Sequence, residues 1–297
     1  LSEEKPFFNR ALRGRYPPAS SIKPAIAMYG IEEGLIDWNF SIFDEGFFTL
    51  PEDGRIYRDW KEGGHGDTNL FKAITQSSNT YFFDLAYRSD INQLNKHLSS
   101  LGFGGKACID CFEEDKVFVP EPSWKMNKHN FGWFKGDTVN MGVGQGYLVS
   151  TPIQLAKYAY IMANKGKFSD LSLKKDLVKS EKSIEFNKFS NDDWFKLHES
   201  MVNVIEGNTG TARRLRERKN YIVAAKTGTA ELVSGDNREQ YSETRLDDSL
   251  RDHALIIAFG PMPNPRYAVS VVVENGESGG SVAGPVAISV LNSLIQE

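Results

Sequence analysis

Tyr221-Ile222-Val223-Ala224-Ala225-Lys226-Thr227-Gly228-Thr229 is the stretch on which the fold turns. Its β-branched and small apolar residues describe a strand over Tyr221–Ala225, and the strand runs straight into a lysine, two hydroxyls and a glycine. Ala254–Phe259 and Tyr267–Glu274 are two further β-rich runs, and the Pro/Asn turn at 261–265 between them makes them a hairpin. An apolar helix over about 284–296 follows. Upstream, Ile22, Ala25, Ile26 and Tyr29 recur at helical spacing from Ser20 until Gly34, with Pro24 in the first turn where its missing N–H costs nothing. Further helices are expected at about 68–76, 79–88, 90–101, 152–164 and 192–205. Residues 35–66 read as an irregular connection, 104–146 as loop, 165–190 as a lysine-rich exposed excursion and 1–15 as a lead-in. The expected class is α/β of the α+β kind: an antiparallel sheet flanked by helices, with an all-helical lobe. One unit covers 1–297, with the lobe mainly at about 35–200 and the sheet and last helix at about 215–297.

Composition agrees with a folded domain. The 297 residues are 40% hydrophobic and 25% charged, enough apolar material for a core. The net charge of −4 lacks the basic excess that binding many phosphates requires, so no nucleic-acid partner is expected. No stretch approaches 18 consecutive apolar residues. The first residue is Leu1, and no charged segment followed by an apolar one opens the chain, so it reads as a piece of a longer protein.

The sharpest local chemistry is Ser20-Ser21-Ile22-Lys23. On a helix Ser20 and Lys23 share a face, which puts a nucleophile beside a potential base. The lysine can take a proton only if burial or a neighbouring cation lowers its pKa. Alone, this pattern is common; an N-cap serine with a solvated lysine would look the same. Two companions change the reading: Ser77-Ser78-Asn79 between two helices, and Lys226-Thr227-Gly228-Thr229 on the strand. A serine and an asparagine opposite the nucleophile can relay protons and hold an amide. A glycine within a strand lets another backbone come close.

The order S-x-x-K, S-x-N, K-T-G resembles the signature set of penicillin-binding proteins and serine β-lactamases. Other segments resemble the class B penicillin-binding proteins of the elongation type. They are Tyr16-Pro17-Pro18-Ala19-Ser20, with Ala19 where glycine is usual, Tyr57-Arg58-Asp59-Trp60, and Gly64-His65-Gly66. Gly136-Asp137-Thr138, Gly142-Val143-Gly144-Gln145-Gly146, Thr151-Pro152-Ile153-Gln154, Leu250-Arg251-Asp252-His253 and Glu274-Asn275-Gly276 complete the likeness. The resemblance runs from about residue 14 to the C-terminus and implies a D,D-transpeptidase. Ser20 would attack the penultimate D-alanine of a peptidoglycan stem peptide, with Lys23 as base and Ser77 as relay to Lys226. Asn79 would hold the substrate amide, and Thr227, Gly228 and Thr229 the substrate backbone and carboxylate. The backbone N–H groups of Ser20 and Thr229 would form the oxyanion hole. β-Lactams would acylate Ser20. The resemblance further implies a glycosyltransferase and scaffold proteins as partners, and a place at the periplasmic face of the inner membrane. The family's anchor helix and pedestal domain are not in this sequence.

No cofactor is required by this chemistry. Some family members hold zinc, and Asp44, Asp59 and His65 fall at three of those ligand positions. The fourth is a cysteine there and Ser78 here, a poor substitute for a thiolate. A metal-free polar cluster is the favoured expectation. Cys108 and Cys111 read as incidental or weakly paired thiols, since no second pair exists to complete a zinc site. Gly276-Glu277-Ser278-Gly279-Gly280 fits a hydrolase elbow, but no histidine follows it, so a glycine-rich turn is expected. The same acylation chemistry would serve a β-lactamase, a D,D-carboxypeptidase or a non-turnover β-lactam sensor. An E-x-x-L-N segment that would activate a deacylating water is missing between the second and third motifs.

Overall fold

The structure is a computed structural model that describes residues 5–177, 180–232 and 250–295. Residues 1–4 of the lead-in and 296 of the expected last helix lie outside the described residues. The lead-in carries a one-turn helix that sequence reading missed, α1 (Arg10–Arg13), capped by the Asn9 side chain on Leu12 N–H. The nucleophile segment is not one continuous α-helix. Ala19–Ile22 is a 3₁₀ turn, and α2 (Lys23–Glu32) begins at the lysine, with Pro24 in its first turn. Ala19 explains the change, because its N–H donates to Gly144 O and its φ of 49° is left-handed. That conformation is natural to glycine, the residue usual at this place in the family, and costs alanine energy.

The stretch 35–66 corrects the sequence reading. It forms two nested antiparallel ribbons, β1 (Ser41–Asp44), β2 (Phe47–Thr49), β3 (Ile56–Arg58) and β4 (Gly66–Asn69). The outer pair runs from Ser41↔Asn69 to Asp44↔Gly66, the inner from Phe47↔Arg58 to Thr49↔Ile56. Strands of three or four residues are too short for a period of two to show. Gly64 permits the nesting: a Cβ there would sit 2.1 Å from Asp44 O.

α3 (Leu70–Gln76), α4 (Asn79–Arg88) and α5 (Ile91–Ser100) fall where expected, capped by Asn69, Ser78 and Asp90. The stretch 104–146 is not all loop, since it contains α6 (Pro122–His129) and α7 (Lys135–Gly142). α6 has no side-chain cap and α7 contains two glycines, so local signals are weak. Packing supplies what propensity lacks, for Gly142 lets α7 lie directly on α4 against Phe82 and Ala86. Cys108 and Cys111, read as thiols, are joined in a disulfide; both are buried and their Cα atoms are 5.4 Å apart.

α8 (Pro152–Ala163) and α9 (Asn191–Glu206) each start with a capping box, Thr151/Gln154 and Ser190/Asp193. Between them the excursion carries a minimal ribbon, β5 (Lys167–Phe168) with β6 (Lys182–Ser183). The main sheet is β7 (Ala224–Ala230), β8 (His253–Gly260) and β9 (Tyr267–Val273), all antiparallel, with β8 central. The first strand therefore begins later than expected and contains the whole Lys226–Thr229 motif. α10 (Gly284–Ile295) ends the fold. Alternation along β8 divides the core. Leu255, Ile257 and Phe259 join the cluster that holds Leu155 of α8 and Leu197 of α9, while Ala254, Ile256 and Ala258 join Ala287, Ile288 and Leu291 of α10. Among the described residues β7 has one strand partner, so its other edge carries no further strand. Among the described residues, no helix is long and apolar enough to cross a membrane.

The α4–α7 contact yields a stability test. A Cβ at Gly142 would lie 2.4 Å from Ala86 Cβ and 2.8 Å from Phe82 O. Gly142→Ala should destabilise by about 2 kcal/mol through overpacking. Gly132→Ala, where a Cβ would meet nothing within 4 Å, should shift the thermal midpoint little. Comparing the two melting curves checks this.

Candidate active site

Three separate elements deliver the motif residues to one point. The turn before α2 carries Ser20, and α2 opens with Lys23. The break between α3 and α4 carries Ser77, Ser78 and Asn79. β7 carries Lys226, Thr227, Gly228 and Thr229. Lys23 Nζ donates to Ser77 O at 2.8 Å and to Asn79 Oδ1 at 2.7 Å, and lies 3.3 Å from Ser77 Oγ. From the opposite side Lys226 Nζ donates to Ser77 Oγ at 2.8 Å. Ser77 thus bridges two lysines that are 54 residues before it and 149 after it. Both lysines are fully buried. Ser20, one turn from Lys23, is half-buried, and among the described residues its hydroxyl makes no hydrogen bond.

Electrostatics follow from that burial. Loss of hydration pulls Lys23 down to about 7, against the opposing pull of the Asp59 and Asp44 charges. Lys226 falls well below the usual lysine range, first through burial and then through the positive charge of Lys23. A neutral Lys23 has two N–H bonds and one lone pair. Ser77 O and Asn79 Oδ1 take the two hydrogens, which leaves the lone pair for a proton arriving from a hydroxyl.

Ser77 adopts φ 61° and ψ 39° at the end of α3, a left-handed conformation that a serine holds only when its surroundings impose it. Asp59 supplies much of that imposition. Its Oδ2 accepts from Asn79 N–H at 2.6 Å and Thr80 N–H at 2.9 Å, a carboxylate on the N-terminus of α4. Ser78 turns away from the cleft, donating to Asp44 Oδ2 at 2.7 Å and accepting from Tyr81 N–H.

Asp44, Asp59 and His65 do come together, with ligand-type atoms within 4.8 Å of one another. His65 Nδ1 is 2.8 Å from Asp44 Oδ2 and 3.8 Å from Asp59 Oδ1. Asp44 is held well below the usual carboxylate range: burial pushes it up, and bonds from His65, Ser78 and Gly46 outweigh that push. This arrangement suits zinc poorly. Asp44 Oδ2 is shared by His65 Nδ1 and the Ser78 hydroxyl, Asp59 Oδ2 accepts from two backbone N–H groups, and a hydroxyl stands where a thiolate would bind; among the described residues His65 Nε2 alone of this cluster is buried without a partner.

Two further residues reach the motif strand: Thr211, which no sequence motif singles out, and Gln145, which lies in the Gly142–Gly146 segment without an expected role. Thr211 shares a 2.7 Å hydrogen bond with Thr227, Oγ1 to Oγ1. Gln145 donates through Nε2 to Thr229 O at 3.2 Å. Thr227 is buried and Thr229 exposed, so of the two hydroxyls it is that of Thr229 that faces solvent. Gly228 passes close to the nucleophile turn, where a Cβ would lie 3.2 Å from Pro18 O.

Two buried lysines therefore meet at the Ser77 hydroxyl, one of them a single helical turn from Ser20 and the other on the outer strand of the main sheet. The chain matches the penicillin binding protein transpeptidase domain over residues 2–292 and belongs to that family. It is 37% identical over 301 residues to the peptidoglycan D,D-transpeptidase MrdA of Haemophilus influenzae, covering 99% of this chain and 46% of that protein. It is 39% identical over 289 residues to MrdA of Acinetobacter baumannii, covering 94% of this chain and 42% of that protein. Among solved structures, Pseudomonas aeruginosa PBP2 in complex with WCK 5153 superposes with a TM-score of 0.89 at 36% identity, covering 100% of this chain and 64% of that one. The chain spans about half the length of the curated relatives it matches.

The polar cluster gives a metal test. Protein purified without chelator should carry far less than one zinc per chain by elemental analysis. Its acylation by a fluorescent penicillin should not change on chelator treatment. Stoichiometric zinc would refute the hydrogen-bonded account of Asp44, Asp59 and His65.

Proposed function

We propose that this chain is the catalytic domain of a peptidoglycan D,D-transpeptidase that cross-links stem peptides through an acyl-enzyme on Ser20 and is a target of β-lactams. The observation that carries the reading is the pair of buried lysines converging on the Ser77 hydroxyl, Lys23 standing three residues after Ser20 where the nucleophile turn runs into α2. Ser20 Oγ attacks the carbonyl of the penultimate D-alanine, and its proton passes to the Lys23 lone pair. The developing oxyanion is met by backbone N–H groups at Ser20 and Thr229. The C–N bond then breaks. The leaving nitrogen of the terminal D-alanine takes a proton through Ser77 Oγ, which already bridges Lys23 and Lys226. An amine from a second stem peptide next attacks the ester, and Ser20 recovers its proton. Asn79 orients the substrate amide, and Thr229 with the Gly228 backbone receives the donor peptide along the free edge of β7.

Water is a weaker acceptor here. The two carboxylates whose charge reaches Lys23, Asp59 and Asp44, are committed to α4 and to His65 and Ser78. Neither is left to activate a water, which disfavours the β-lactamase and carboxypeptidase readings. The Helicobacter pylori PBP2 structure in complex with MreC, 29% identical with a TM-score of 0.84, covering 99% of this chain and 54% of that one, supports a scaffold partner of this kind. A peptidoglycan glycosyltransferase is proposed as a second partner. The Cys108–Cys111 disulfide supports work in an oxidising compartment, in line with the periplasmic face of the inner membrane.

Ser20→Ala should abolish covalent labelling by a fluorescent penicillin and leave the melting curve nearly unchanged. Label on the wild type should persist for hours; rapid release would favour hydrolysis, and label on the variant would refute the nucleophile.

The acylation rate should climb as pH rises through about 7, because only neutral Lys23 accepts the Ser20 proton. Stability should move the same way. Between about 7 and 10.5 the unfolded chain binds a proton on Lys23 that the folded chain does not, so stability increases with pH across that window. Lys23→Met should reduce this slope in pH-dependent thermal melts, the remainder coming from Lys226, which is lowered as well.

A further inference from the structure

Trp60 follows Asp59 at the end of the inner ribbon, and nothing in the acylation scheme uses it. Its indole Nε1–H donates to Ser77 O at 3.0 Å, the same carbonyl that accepts Lys23 Nζ at 2.8 Å. The ring meets His65 edge-on at 5.5 Å, so its orientation is fixed from behind. Its neighbour Asp59 holds Asn79 N–H and Thr80 N–H. Residues 59 and 60 therefore grip the motif turn on both sides of Ser78. Yet Trp60 remains 60% exposed, so a large apolar ring stands open beside the cleft.

We propose that Trp60 is a positioning residue for acylation: its N–H fixes the Ser77 carbonyl, and so holds the Ser77 hydroxyl between Lys23 and Lys226. The reasoning is geometric. Ser77 is left-handed, with its backbone oxygen and its hydroxyl both serving lysines. If the carbonyl is free to rotate, the hydroxyl moves with it, and the relay loses alignment. Lys23 alone cannot prevent this, because it must change its own hydrogen bonds as it gains and loses a proton. An indole N–H does not titrate, so it gives the carbonyl a partner that persists through the cycle. We extend the proposal to the exposed part of the ring, which would offer the bound acyl donor an apolar surface.

This inference rests on the acylation reading, and the test separates the two. Stopped-flow acylation by a fluorescent penicillin gives the noncovalent affinity and the first-order acylation step separately. Trp60→Phe keeps a ring and deletes the donor. It should slow the first-order step by about tenfold, the worth of one hydrogen bond to a positioned group, and leave affinity unchanged. Trp60→Ala should slow the step equally and also weaken affinity several-fold. Benzothienylalanine at position 60, which keeps the bicyclic shape without the N–H, should behave as Trp60→Phe and guards against a variant that fails to fold. A first-order step within twofold of wild type for the benzothienyl protein overturns the inference while the acylation reading stands. A wild type that never labels overturns both.

Discussion

Two lysine side chains are taken out of water and pointed at one serine hydroxyl. That is a costly thing for a fold to do, since an ammonium group loses its hydration and gains a like charge nearby. The architecture is arranged to enforce it. Lys23 sits at the start of a helix whose residues Pro24–Gly30 are all buried, and Lys226 sits in a strand that is buried except at Thr229. Neither side chain can swing out to solvent without dismantling the core on its own side. The result is a Lys23 pulled down to about 7, so that free amine and ammonium are both populated near neutral pH, beside a Lys226 held well below the usual lysine range.

The helical lobe exists, in this light, to hold the third component still. Ser77 lies in a chain break between two helices, a place that would ordinarily be loose. The nested ribbons bring Asp44, Asp59 and Trp60 to that break, where they bind Ser78, Asn79, Thr80 and Ser77 in turn. Polar contacts do this work because the turn's own backbone groups need partners, and a carboxylate at a helix N-terminus meets the α4 dipole as well. Ser78 shows how a single side chain sets the character of the support. As a hydroxyl it joins by hydrogen bonds to Asp44 and to Tyr81 N–H.

Much of this was legible in the sequence, for reasons specific to each part. The three motifs announced themselves because catalysis demands particular side chains, and packing cannot substitute for them. The helices with caps at Asn69, Ser78, Asp90, Thr151 and Ser190 were read correctly because their start signals are local. What failed to show was held together over distance. Ser41 pairs with Asn69 across 28 residues, so β1 and β4 have no hairpin signature. α7 contains glycines that weaken it as an isolated helix, and the same glycine at 142 is what allows it to dock on α4. Thr211, Gln145 and Trp60 reach the site through tertiary contacts that spacing does not encode. The 3₁₀ start at Ala19 was hidden for the same reason, since Gly144 imposes it from more than a hundred residues away.

The left-handed alanine and serine and the two buried lysines lie close together, and each is held against its own preference; the backbone strain alone costs about 1–3 kcal/mol per residue. Substitutions that relax these positions spare the fold that cost. Inactive descendants of such a domain would therefore accumulate without being cleared by misfolding. Under the proposed function, it is selection on the reaction that keeps such a constellation intact. By the same logic, a duplicated copy released from that selection would drift toward a more stable, silent binding protein rather than toward collapse.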